Sequence, residues 1–356
     1  MALDLYKPSF MLRMVEQMPP FRPFLKDTFF SRKQPFPTES VLFDVVKNGM
    51  SAAPYVSPRI GNTVLERDGY STMKYTPPLV APMRIITGEE LNMRLPGENP
   101  VNGYHPNRRK AELLQNDLRA LNRSITYREE IMAAQALFFG VVDVDGEGVS
   151  DRIGFGFENN IVVDVPWSDF EKSDPLKDLV EARILVSRSG FSPNILIADS
   201  KTIGYMKRNK ILKDLFDNSG FRVGVIQPNV LANGVVEFGF LREAGVFVYA
   251  YDGEYEDNLN ENPAYPGVAP SAEGFVPAMR PFVPKGKVFI GSTAMEASTL
   301  YGVIHHVQTR STSAARVPHT WFNEKGDTMY VEIKSRPLVC PKHVNSWAIL
   351  DVLGGE

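Results

Sequence analysis

Residues 59–78 read RIGNTVLERDGYSTMKYTPP. Two extended runs flank Asp68-Gly69, a dipeptide that supplies the positive φ angles of a tight hairpin turn, so the stretch is expected to be a β-hairpin. Strands of this length would reach roughly 25–30 Å at ~3.3 Å per residue. One face carries Asn62, Val64 and Glu66, the other Thr63, Leu65 and Arg67. Neither face can form a core, and an isolated two-stranded hairpin is marginal in water. The hairpin must lean on a sheet elsewhere in its own chain or on a neighbouring molecule.

The chain has 356 residues, room for about two domains. With 43% hydrophobic and 23% charged residues it has the composition of a globular protein with an ordinary core. A formal charge of -3 lacks the basic excess needed to neutralise a nucleic-acid backbone along the whole chain, so DNA contact is expected to be local or weak. One cysteine, Cys340, excludes an intramolecular disulfide framework and reads as a buried thiol. The start, MALDLYKPSF, has Asp4 and Lys7 where a signal peptide needs an apolar run, and no run of about eighteen apolar residues occurs. Neither classical export nor a membrane-spanning helix is expected.

Upstream of the hairpin, Met11 to Met18 could form a short amphipathic helix. Pro19, Pro20, Pro23, Pro35 and Pro37 then keep the backbone extended. Phe21, Phe24, Phe29, Phe30 and Phe36 lie among them, and a segment so built is expected to strap across a surface, either of its own chain or of another copy. Downstream, after the turn-rich RLPGENPVNGYHP, Leu114, Leu118, Leu121, Ile125, Met132 and Phe139 fall at helical spacing until Gly140. A helix from Asn107 to Phe139 would span about 50 Å. Its solvated side is expected to hold Arg108, Arg109, Lys110, Glu112, Arg119, Arg123, Arg128, Glu129 and Glu130.

Then the pattern becomes mixed. Residues 153–165 alternate like two short strands, 176–187 and 200–216 like helices, and 194–198 like a buried strand. Lys207, Arg208, Lys210 and Lys213 form a basic helix face that could touch phosphate but reads first as solvated. Residues 235–240, 245–251 and 288–291 read as strands, with a long Pro-, Gly- and acid-rich insertion between Asp252 and Pro284. Thr328 to Pro341 reads as one long half-buried strand, and Trp347 to Val352 as another.

No catalytic constellation emerges. His305 and His306 are adjacent and diverge on either a strand or a helix; His105, His319 and His343 fall in no metal-ligand spacing, and neither HExxH nor CxxC is present. Gly154-Phe-Gly156-Phe lacks the third glycine of a dinucleotide loop and precedes a strand pattern. DGEYEDNLNE, from Asp252, has Asp257 where a calcium loop needs glycine. Asp164, Asp169, Glu171 and Asp174 around Trp167 read as capping carboxylates. No catalytic, metal or cofactor residue is therefore expected, the remaining enzyme option being an α/β site built on Asp164, Asp169 or His306.

In their order and spacing, FFSRKQPFPTESVLFD, PYVSPRIGNTVLERDGYSTMKYTPPLVAP, RLPGENP, VFVYAYDGEY, FVPKGKVFIGS and MYVEIKSRPLVCPKHVNSWAILDV resemble the lambda-type major capsid proteins of tailed bacteriophages, over nearly the whole chain. The resemblance implies an α+β, Hong Kong 97-like capsid fold. Its parts would be an N-terminal arm (1–50), an extended β-hairpin loop (51–90), a peripheral domain with the long helix (91–175) and its C-terminal strands (312–356), and an axial α/β domain (176–311). It further implies an icosahedral shell, first a procapsid and then a mature head, around double-stranded DNA bound without sequence specificity. The extended loop would lie on the adjacent subunit through Val64, Leu65, Arg67, Asp68, Gly69, Tyr70, Met73 and Tyr75, and the arm would make contacts through its five phenylalanines. Implied partners are further copies in hexamers and pentamers, a separate scaffolding protein, a portal and optionally a decoration protein, with assembly in the host cytoplasm. No enzymatic activity, cofactor or membrane contact is implied, and a cellular cargo compartment of the same fold is the alternative. Residues 258–281 form an insertion relative to the lambda protein. Lys74 and Asn345 lie where welded relatives of the fold crosslink, without a matching motif.

Overall fold

A computed structural model of the chain describes residues 11, 23–46, 70–93, 106–146, 149–209, 234–257, 278–305, 312–323 and 328–354. In chain order these form α1 (Phe24–Phe29), β1 (Arg32–Pro35), β2 (Val41–Val46), β3 (Tyr70–Tyr75), β4 (Met83–Thr87), α2 (Gly88–Asn92) and α3 (Pro106–Phe139). There follow β5 (Val141–Gly146), β6 (Val149–Gly154), β7 (Asn160–Val162), α4 (Pro175–Arg188), β8 (Ile195–Ala198), α5 (Ser200–Arg208), β9 (Val235–Leu241) and β10 (Val246–Tyr251). The last elements are β11 (Glu254–Asp257), β12 (Ala278–Pro281), β13 (Lys287–Gly291), β14 (Ala297–Tyr301), β15 (Val317–Asn323), β16 (Thr328–Lys334), β17 (Pro337–Pro341) and β18 (Trp347–Asp351). The expected helix at Met11 to Met18 lies outside the described residues except for Met11, which is buried.

α3 is the rod that the leucine spacing predicts. Its N-terminal half lays Leu114, Leu118, Leu121 and Ile125 against Ile86, Val331 and Ile333 of the three-stranded sheet β15-β16-β4. Its C-terminal half turns Met132, Leu137 and Phe138 into the main core. Phe139, expected on the stripe, is instead half exposed (51%), and Phe138 takes the inward position. Gly140 ends the helix in the left-handed region at φ 66°, where an added Cβ would sit 2.3 Å from Phe157 Cβ. Glycine is the residue that fits both demands.

In the mixed six-stranded sheet β7-β18-β13-β8-β10-β9 the central strands β18, β13 and β8 are buried on both faces, whereas the edge strands β7 and β9 keep exposed residues. Strand alternation divides its side chains between two layers. Leu196, Ala198, Val248, Ile290 and Leu350 meet α4 and α5, whereas Ile195, Ile197, Tyr251, Phe289, Trp347 and Ile349 face the main core. α4 and α5 begin where carboxylates accept their first free amides, Asp174 from Lys177 N and Asp199 from Thr202 N.

The structure corrects one strand and adds two pairings. Thr328 to Pro341 is two strands, since Ser335 and Arg336 separate β16 from β17, which pairs with β14 in the sheet β1-β14-β17. The final strand, β18, lies in the six-stranded sheet against β13, away from β15 and β16. β3, read as the second half of a hairpin, pairs antiparallel with β2 from Val41↔Tyr75 to Val46↔Tyr70. Residues 47–69, which include the expected first hairpin strand and its Asp68-Gly69 turn, lie outside the described residues. The insertion springs from the two-stranded ribbon β11-β12, its residues 258–277 being outside the description as well.

Candidate functional site

The predicted arm contacts are made within the chain. Phe24, Phe29 and Phe30 are buried in the main core and Phe36 packs against it, while Phe21 lies outside the described residues. Phe29 meets Phe289 edge-on with centroids 5.1 Å apart, and Phe24 meets Tyr251 at 5.5 Å. β1 runs parallel to β14, so main-chain hydrogen bonds also tie the segment down. Of the two straps that the sequence left open, residues 23–46 form the one across their own body.

Of the predicted loop contacts, Val64, Leu65, Arg67, Asp68 and Gly69 lie outside the described residues. Tyr70 is 69% exposed at the start of β3. Met73 and Tyr75 are partly buried against the chain's own core, and the Tyr75 hydroxyl donates to Asp151 at 3.1 Å. The alternation of the strand places Tyr75 and Met73 on one side. At the next residue on that side, Ser71, the strand has no apolar group left to bury.

Of the carboxylates of the enzyme option Asp169 serves the backbone, as do the neighbouring acids Asp174 and Asp252. Asp169 accepts from the amides of Glu171 and Lys172, Asp174 caps α4, and Asp252 accepts from the amide and hydroxyl of Ser200 at the start of α5. Asp164 is exposed, and His306 lies outside the described residues. Among the described residues no three His, Cys, Asp or Glu side chains cluster as a metal site would require, and no helix is long and apolar enough to cross a membrane.

The densest chemistry is a buried charge junction midway along α3. Glu129 and Glu130, expected on the solvated side, are fully buried, and Arg109 is nearly so. Glu129 accepts from Arg316 at 2.7 and 2.9 Å, from the Lys26 ammonium at 2.6 Å and from the Tyr301 hydroxyl at 2.9 Å. Burial alone would raise its pKa, but the charges and hydrogen bonds of Arg316, and then Lys26, overrule it and hold the carboxyl at about 2.

Glu130 is answered differently. Its two oxygens accept from the backbone amides of Leu25 and Lys26, each at 2.8 Å, and Oε1 also from the Tyr251 hydroxyl at 3.1 Å. These amides are at the exposed-donor end of α1, whose own N-cap, Pro23, provides no side-chain cap. A residue about a hundred positions away therefore caps the helix. With neutral donors only, burial prevails and pushes the carboxyl up to about 7. Two neighbouring glutamates thus differ in their proton affinity because one faces cations and the other does not.

A sequence signal for Glu129 existed. It stands four residues after Ile125 and three before Met132, on the stripe itself. Its partners, 103 and 187 residues away, could not be read from local pattern.

Comparison with known proteins places this architecture. A profile described as phage major capsid protein E matches residues 9–269. The chain belongs to the phage major capsid protein E family. The major capsid protein of Escherichia phage lambda is 27% identical over 95% of this chain and 96% of its own length. That of Enterobacteria phage P21 is 24% identical over 98% and 100%. Among solved structures, one described as a prophage capsid protein of Escherichia coli CFT073 superposes with a TM-score of 0.73 at 20% identity, covering 99% of this chain and 100% of the other. The fold is accordingly Hong Kong 97-like, α+β, with a long helix crossing between sheets. As a member of the capsid protein E family the chain is a major capsid protein, a virion component whose copies build a multimeric shell.

Proposed function

We propose that copies of this chain close into an icosahedral shell, first a procapsid and then a mature head, that encloses double-stranded phage DNA. The observation that carries this reading is the open apolar side of the β15-β16-β4 sheet. There Met83 and Ile85 are 55% and 46% exposed, beside Trp321 stacked on Tyr330 at 5.0 Å. A face of this kind on a single subunit supports burial against another copy. In this reading residues 176–311 meet around the capsomer axes of hexamers and pentamers, residues 91–175 and 312–356 lie peripherally, and the loop through Val64, Leu65, Arg67, Asp68 and Gly69 reaches the adjacent subunit. Many shallow contacts then act together, each raising the effective concentration of the next.

The chain carries no catalysis of its own in this proposal, since its clustered carboxylates serve caps and buried ion pairs. A separate scaffolding protein and a portal complete assembly in the host cytoplasm, with a decoration protein as an optional addition. A net charge of -3 suits a wall that confines DNA without reading its sequence. The test is to express the chain with and without its neighbouring scaffolding gene and to image the products by electron microscopy. Shells, or hexameric and pentameric rings, are expected. Monomers only, under both conditions, would overturn the proposal, and particles filled with an enzyme instead of nuclease-protected DNA would favour a cellular compartment.

A further inference from the structure

We propose that Glu130 is a proton-sensitive clasp: it holds α1, and with it the N-terminal segment, on the long helix, and the hold weakens as its carboxyl ionises. The geometry is that of a grip. Both carboxyl oxygens are occupied by consecutive amides of α1, and Tyr251 of β10 closes the third side. α1 has six residues and no side-chain cap of its own, too short to persist in water unaided. Its docking therefore depends on what α3 offers.

The groups that face Glu130 come from three elements. α1 brings Lys26, whose ammonium is already committed to Glu129, and Asp27, whose charge opposes ionisation. β10 brings the Tyr251 hydroxyl, and α3 itself brings Glu129 and Tyr127 alongside. Among the described residues the partners of Glu130 are thus neutral donors. Burial disfavours the ionised form, three hydrogen bonds favour it, and burial prevails, which places the titration at about 7.

When α1 lifts away, Glu130 meets water and returns toward the ordinary value of 4.5. The docked state therefore binds the proton more tightly. Docking is strongest below about pH 4.5, weakens as pH rises toward 7, and is level above that. The clasp is a property of the single chain and goes beyond the shell proposal, so the failure of one leaves the other standing.

Site-resolved amide hydrogen exchange on the full chain, corrected for intrinsic rates, tests the clasp. Between pH 5 and 7.5 the opening equilibrium of the Leu25 and Lys26 amides is expected to increase roughly fifty-fold, while the Leu118 and Leu137 amides of α3 do not follow it. Glu130→Gln, which cannot titrate, should abolish the rise. Tyr251→Phe removes a donor that favours the ionised form and should move the midpoint to higher pH. An unchanged opening equilibrium in the native chain, or a full rise in Glu130→Gln, overturns the proposal. If Glu130→Gln does not fold, Tyr251→Phe decides: a raised midpoint supports the clasp and an unmoved one removes it.

Discussion

Arg316 sits fork to fork on Glu129, Nη1 to Oε1 at 2.7 Å and Nη2 to Oε2 at 2.9 Å. The pair joins the approach to β15 with the middle of α3, where the helix passes from the three-stranded sheet to the main core. Both side chains are withdrawn from water, so the ions depend on each other. Glu129→Gln, which strands Arg316 and Lys26 together, is expected to cost about 3–5 kcal/mol, and Arg316→Met, which leaves Glu129 paired with Lys26, less than that. Denaturant midpoints measure this. The double variant should cost clearly less than the sum of the two, because Arg316 is then gone and only Lys26 is left without its carboxylate.

Glu129 also sets an acid limit. Its folded pKa of about 2 lies below the ordinary 4.5, so its contribution is fully present above pH 4.5 and is lost as pH falls toward 2. Glu130, raised to about 7, acts with the opposite sign between pH 4.5 and 7. Thermal unfolding of the native chain and of Glu129→Gln from pH 6 to 2.5 should therefore converge at the acid end. A constant gap between the two curves would contradict the assignment.

How far the sequence reaches is clearest on α3. Leu114, Leu118, Leu121 and Ile125 repeat at the helical period, and a local period is visible without knowing any partner. Glu129 and Glu130 read as solvated in the local pattern because what decides their burial, Lys26, Arg316 and Tyr251, is distant in the chain. Pairing suffered the same way. The alternation of Val41, Phe43 and Val45 marks one buried strand face, yet nothing local says that Tyr70–Tyr75 is its partner. The break between β16 and β17 was legible after all: Pro337 lacks the ladder donor that one continuous strand would need. Of the expected loop contacts, Tyr70 is exposed, while Met73 and Tyr75 are partly buried against the chain's own core.

Glycine positions separate strain from freedom. Gly140→Ala meets both a left-handed backbone at φ 66° and the Phe157 Cβ at 2.3 Å. A cost of about 2–4 kcal/mol is expected from the two effects together. Gly204 lies within α5 with nothing near its absent Cβ, so Gly204→Ala should stabilise by about 0.5–1 kcal/mol. Thermal melts of the two variants should shift in opposite directions.

Cys340 is buried in β17, and desolvation pushes its thiol well above the ordinary range. Since the thiolate is the reactive species, the folded chain should resist a disulfide-exchange reagent at pH 8 and react with one equivalent after unfolding. The rate of labelling in the native state would then report global opening of the β1-β14-β17 sheet.

Removing residues 60–68 separates the role of the loop from the integrity of the subunit. β3 stays on β2 through its own register, and the Thr72 hydroxyl still donates to Asp44 at 2.6 Å, because neither element is touched. The shortened chain should therefore remain soluble, with a denaturant midpoint close to that of the full chain. Asp68→Pro, which would forbid the φ > 0 of the turn that the sequence leads one to expect at Asp68-Gly69, should act more mildly in the same direction. If the loop rests on the adjacent copy, particle yield by sedimentation should fall at least tenfold in the deletion while the monomer stays folded. Normal particles from a folded deletion chain would mean that the loop holds nothing outside its own subunit.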